Sequence, residues 1–114
     1  MNMRKFDYRA PRFAVDLPVR LTLAESTQFG RCTEISTEGM KLDVHQPLSV
    51  DAAGAVQVTF RESSLEIPVR VAHCGGGFEG VQFVYGSDEE RDDVIRFIAL
   101  LASAPPHPGP LLLH

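Results

Sequence analysis

The tightest constraint on the fold of this chain is a two-residue rhythm. Val15, Leu17, Val19, Leu21 and Leu23 alternate with Asp16, Pro18, Arg20 and Thr22. Successive side chains of a strand point to opposite faces, so this run predicts a half-buried strand with one apolar face. Pro18 has no amide donor, which places it at an edge or a bulge. The rhythm returns in shorter runs. Phe29 to Ile35 reads as a second strand, and Met40, Leu42 and Val44 mark a third. Val56, Val58 and Phe60 mark a fourth, and Leu65, Ile67, Val69 and Val71 a fifth. Val81, Phe83 and Tyr85 share one face of a sixth, from about Glu79 to Tyr85. Turn chemistry separates the runs: Ala24 to Gln28, Ser36-Thr37-Glu38-Gly39, Gln46 to Gly54, Glu62-Ser63-Ser64 and the hairpin glycines 75–77. Short strands at regular spacing predict a mainly β fold, a six-stranded antiparallel barrel, closed or nearly so. Closure removes the exposed edges that invite aggregation.

A single helix follows. Ser87 with Glu90 three residues on is a capping box, and Asp88 and Glu89 suit the positive end of a helix dipole. Val94, Phe97, Ile98 and Leu101 form one apolar stripe, which should pack on the barrel. Pro105, Pro106, Pro108 and Pro110 cannot continue a helix. The expected organisation is a basic arm over 1–12, a barrel with its helix over 13–102, and a flexible Pro-rich tail over 103–114. Leu111-Leu112-Leu113 in that tail reads as a frayed end or a docking segment.

With 114 residues there is room for one domain with a real core. No apolar run approaches the roughly 20 residues of a membrane span. Met1 to Asp7 lacks the apolar stretch of a leader, so the expected location is cytoplasmic. Cys32 and Cys74 lie in apolar, strand-like settings and read as buried free thiols. His73 stands beside Cys74, but no second Cys or His pair completes a zinc site. The net charge of −4 hides an asymmetry: Arg4, Lys5, Arg9 and Arg12 against Asp7 make the arm +3, and the rest is −7. A basic arm on an acidic body suggests a local anion site. It argues against a nucleic-acid polymer, including a single-stranded one, which would need a basic face on the fold itself.

Enzyme signatures are lacking. Ser36 lies between two strands without the G-x-S-x-G elbow of a hydrolase, and the glycines at 75–77 precede a strand and carry no P-loop Lys-Ser/Thr. The carboxylates around Asp88 serve a helix start. A binding module fits better. Tyr8-Arg9-Ala10-Pro11-Arg12-Phe13 leads into the first strand, and Pro11 biases Ala10 toward an extended shape. Guanidinium groups fork onto phosphates or the O6 and N7 acceptors of guanine, and stack on bases.

An arginine-bearing arm, then Val15-Asp16-Leu17-Pro18-Val19, then a Ser-x-x-Gly turn, resembles the PilZ domain family. Gly80-Val81-Gln82-Phe83 before a terminal helix is similar to the family's last strand, so the likeness spans roughly residues 5–100. The resemblance implies a six-stranded barrel that receives cyclic-di-GMP through an RxxxR arm and a [DN]xSxxG turn. Arg12 matches the second arginine, Ser36 the serine and Gly39 the glycine. Tyr8 stands where the first arginine would be, with Arg9 beside it, and Glu34 stands in the Asp/Asn place. Glu34 keeps a carboxylate able to accept from guanine N1–H and N2–H₂, displaced by about a bond length. Exchanging a bidentate arginine for Tyr8 should cost on the order of 1–3 kcal/mol, part of which stacking by Tyr8 could return. Ser36 and Gly39 also have readings without a ligand: a serine that caps its own turn, and a glycine that supplies φ > 0. Two functions are therefore expected. One is a cyclic-di-GMP receptor that passes its signal to a protein effector in bacterial second-messenger signalling. The other is a degenerate domain that binds no nucleotide and serves as a protein–protein interaction module.

Overall fold

The computed structural model describes residues 11–24, 26–75 and 78–103. Six strands follow one another: β1 Phe13–Leu23, β2 Ser26–Ile35, β3 Gly39–Val44, β4 Ala53–Phe60, β5 Ser63–Gly75 and β6 Phe78–Phe83. Helix α1, Asp88–Ser103, follows β6. Every strand pairing is antiparallel, and the order β1-β2-β3-β6-β5-β4 closes on itself through β4 and β1. The expected barrel with a terminal helix is the fold observed. None of the described helical residues forms a segment long and apolar enough to cross a membrane.

The alternating residues fill the barrel. Leu17, Val19 and Leu21 of β1 meet Leu42, Val56, Val58, Ile67, Val69 and Val71 in one buried cluster. Each such side chain contributes about 1.5–3 kcal/mol by leaving water. Val94, Phe97 and Ile98 of α1 join the same cluster, and Leu101 packs at its margin. Ser87 Oγ accepts from the Glu90 amide at 3.2 Å. The return bond of Glu90 reaches the Gly86 amide, 2.6 Å away, one residue earlier than a strict capping box. Pro18 sits one residue past a bulge between Ala14 and Leu17, where only β2 pairs with it; the β4 ladder begins at Val19. Tyr85 lies beyond the end of β6 yet packs on the core, its ring 5.9 Å from that of Phe83. The turn expected at Glu62-Ser63-Ser64 is tighter: Phe60 pairs with Ser63, and Arg61 takes a φ of 57°. Gly75 pairs with Phe78, so β5 and β6 form the expected hairpin, whose residues 76–77 lie outside the described residues.

Two further bulges set which side chains leave the core. Cys32 and Ile35 are both buried although three residues apart, because the β2–β3 register shifts between Cys32 and Glu34. That shift turns Glu34 outward, opposite Lys41. In β5 the register shifts between Val71 and His73, which turns His73 outward opposite Gly80. Both cysteines are free thiols. The Cys32 thiol donates to the Glu34 carbonyl at 3.2 Å, and burial pushes its pKa up to about 12. Half-buried Cys74 donates to the Leu48 carbonyl at 3.1 Å; burial first, then the Glu79 carboxylate, pushes it up.

Candidate functional site

The β2–β3 turn is built by its own short bonds. The Ser36 amide donates to the Gly39 carbonyl at 2.9 Å, and the Ser36 hydroxyl accepts from the Glu38 amide at 3.0 Å. Two bonds then clamp the turn to the end of the sheet. The Phe83 amide donates to the Glu38 carbonyl at 2.9 Å, and the Tyr85 hydroxyl donates to the Thr37 carbonyl at 2.6 Å. Burial pushes the Tyr85 pKa up, Arg91 opposes that shift, and Glu38 adds to it. Ser36, 8% exposed, therefore caps its turn, as the reading without a ligand requires. Its hydroxyl still has a proton and a second lone pair to offer.

Gly39 is selected for a different reason from the one expected. Its φ is not in the left-handed region; among the described glycines only Gly75 is, at φ 106°. Instead, a Cβ at Gly39 would overlap the carbonyl oxygen of Val81 on β6. Close approach of two backbones, not turn conformation, demands glycine there.

A groove of about 530 Å³ runs from this turn across the outer wall of β3, β6 and β5. Arg12, Glu34, Ser36 and Gly39 all line it, so four of the expected site residues converge on one concavity. Tyr8 and Arg9 lie outside the described residues. The centre of the charge arrangement is Glu34. Arg12 Nη1 is 3.4 Å from its Oε1, and Lys41 Nζ is 3.8 Å from its Oε2. The side chains of this triad are 49% (Arg12), 33% (Glu34) and 34% (Lys41) exposed, so the pairs are solvent-screened and worth about 0–1 kcal/mol each. A ligand can exchange them at little cost. Glu38 also lines the groove, so two carboxylates face two fixed cations.

Lys41, His73, Phe78, Gly80 and Gln82 also line the groove. From the sequence none of them is assigned to a ligand: His73 is weighed only beside Cys74 as a metal ligand, and Gly80 and Gln82 only as part of the last strand. Their positions depend on strand neighbours distant in the chain: Lys41 pairs with Gly80, Gly39 with Gln82, and His73 with Gly80. Outward parity in β3 and β6 was the available signal for Lys41 and Gln82. The bulge that exposes His73 has no such signal.

Comparison with known proteins agrees with the fold. No curated protein sequence matches the chain. Among solved structures, the PilZ domain of CeSA from a cellulose-synthesizing bacterium superposes with a TM-score of 0.74 at 20% identity, over 82% of this chain and 99% of that one. The PilZ domain of YcgR from Escherichia coli, solved with c-di-GMP, gives 0.70 at 16% identity, over 82% and 90%. The K. pneumonia MrkH–c-di-GMP complex gives 0.69 at 18% identity, over 82% of this chain and 52% of that one. These likenesses concern the fold. The PilZ domain profile itself matches residues 7–100, which is most of the sequence, and the chain belongs to the PilZ domain family.

Proposed function

We propose that this chain is a cytoplasmic receptor domain for cyclic-di-GMP. The observation that carries the reading is the convergence of Arg12, Glu34, Ser36 and Gly39 on one groove, at the point where the arm over 1–12 enters β1. The c-di-GMP complexes of YcgR and MrkH, which share the fold, support the choice of ligand. In this reading Arg12, with Arg9 and Tyr8 from the arm, holds a phosphate and one base face. Glu34 accepts from the N1–H and N2–H₂ edge of a guanine, and Ser36 and Gly39 keep the turn close to β6. Binding moves Arg12 from Glu34 to the phosphate, and the guanine edge takes its place on the carboxylate. The arm then folds over the ligand and presents a new surface to a protein effector, with the barrel and helix over 13–102 as the rigid body; the expected tail falls on residues 104–114, which lie outside the described residues.

Titration calorimetry with cyclic-di-GMP tests this. Wild type gives saturable heat, and Arg12→Ala weakens binding by about 5- to 150-fold, the equivalent of one bidentate arginine. No heat from wild type at high micromolar ligand removes the receptor reading. One observation favours a second reading: Glu34 already engages both Arg12 and Lys41, and with Glu38 the groove sets two carboxylates against these two cations. A domain of that kind is a protein–protein interaction module, and its partner would be retained equally by wild type and Arg12→Ala.

A further inference from the structure

Three side chains on adjacent strands meet on the groove wall, and none belongs to the arm or to the turn. His73 of β5 and Phe78 of β6 are stacked, with ring centroids 5.0 Å apart and planes inclined by 22°. Lys41 of β3 holds its Nζ 4.4 Å from the Phe78 centroid while its ammonium also reaches Glu34. Gly80 lies between Lys41 and His73 on the ladder and adds no side chain, which leaves the wall open around the rings. His73 is exposed and Phe78 half-buried, so His73 is the accessible end of the stack.

An aromatic pair across a hairpin could serve stability alone, contributing about 0.2–1 kcal/mol. That role does not account for the bulge between Val71 and His73, which interrupts the ladder and aims the imidazole into the groove. Nor does it account for the ammonium placed against the same ring. A π surface beside a cation, on the wall of a groove that also holds the Glu34 carboxylate, matches the chemistry of a nucleotide. Planar bases stack on aromatic side chains, and their phosphates pair with nearby cations.

We propose that the His73–Phe78 stack is a floor for a purine base of the anionic ligand, with His73 in contact with the base, Phe78 a positioning residue beneath it, and Lys41 the cation for the adjoining phosphate. This inference rests on the receptor reading above. Lys41 then supplies the second fixed charge of the site, from β3 and not from the arm.

The test uses cyclic-di-GMP with the full chain and four variants: His73→Ala, His73→Phe, Phe78→Leu and Arg12→Ala. Calorimetry reads affinity, and proton NMR reads the ring-current shift of guanine H8. His73→Ala is expected to bind about 5- to 150-fold more weakly, the usual effect of removing one stacked aromatic. It also loses the upfield H8 shift, and His73→Phe restores both. Phe78→Leu gives an intermediate loss, with thermal melts confirming that the variants are folded. Affinity and H8 shift unchanged in both His73→Ala and Phe78→Leu, while Arg12→Ala still fails, overturns the stacking floor and leaves the receptor reading standing. No binding by wild type removes both.

Discussion

Replacing Gly39 with alanine adds one methyl group at the tightest point of the candidate site. The added Cβ would overlap the Val81 carbonyl oxygen, which belongs to the β3–β6 ladder and cannot rotate away. A carbon and a carbonyl oxygen need about 3.3–3.6 Å even in their closest favourable contacts, so β3 must move outward from β6. Overpacking of this kind costs typically 1–3 kcal/mol. For a domain of this size that is roughly a 4–20 °C fall in melting temperature. The displaced segment also carries the Ser36–Gly39 bond and neighbours the Phe83–Glu38 clamp, so the groove opens along with the sheet. Urea denaturation followed by circular dichroism measures the loss. Gly80→Ala is the internal comparison, because a Cβ there meets only the Cβ of His73, at 3.3 Å, a tight contact that a shift of a few tenths of an ångström relieves, so its cost should be clearly smaller than that of Gly39→Ala. If Gly39→Ala matched wild type within about 0.5 kcal/mol, the usual scatter of a harmless substitution, the close-approach account of this glycine would be wrong.

Other consequences are equally open to measurement. Tyr85→Phe removes the hydroxyl that holds the Thr37 carbonyl, and a loss of about 0.5–1.5 kcal/mol by denaturation is expected. Phe97→Ala detaches the apolar stripe of α1 from the core, with an expected cost of about 3–5 kcal/mol in the same assay. Cys32 holds its proton more tightly folded than unfolded, so its contribution is intact below pH 9 and is lost as pH rises toward about 12, at up to about 1.4 kcal/mol per pH unit. Tyr85 and Cys74 shift in the same direction. Stability measured from pH 8 to 11 should fall, and Cys32→Ala should fall less steeply; equal slopes would refute the assignment to this thiol.

The barrel was legible because each strand carries its own inside and outside. Val15 to Leu23 and Leu65 to Val71 needed no partner to be read as strands, and the turns between the strands are rich in glycine, serine and acidic residues. The Ser36–Gly39 turn and Arg12 were legible as a pattern, and the fold brings them to one groove. The bulges were harder to see. Cys32 and Ile35, or Val71 and Cys74, three residues apart and all apolar, break the two-residue rhythm, and only the neighbouring strand decides which residue is extruded. Glu34 therefore reads correctly as a polar position without revealing that Lys41 faces it. His73 and Phe78 become a stacked pair only when β5 and β6 pair in register across the glycine hairpin. The reason for Gly39 likewise lies in β6, more than forty residues away along the chain, beyond the reach of any turn rule.

The most direct test of the site is an amide chemical-shift map of the ¹⁵N-labelled chain titrated with cyclic-di-GMP. The account predicts that the largest changes fall on Glu34, Ser36 to Lys41, His73, Gly80 and Gln82, with those of β4 and α1 nearly still. Saturable changes centred on α1 or on the outer face of β4, with the Ser36–Gly39 turn unmoved, would contradict it.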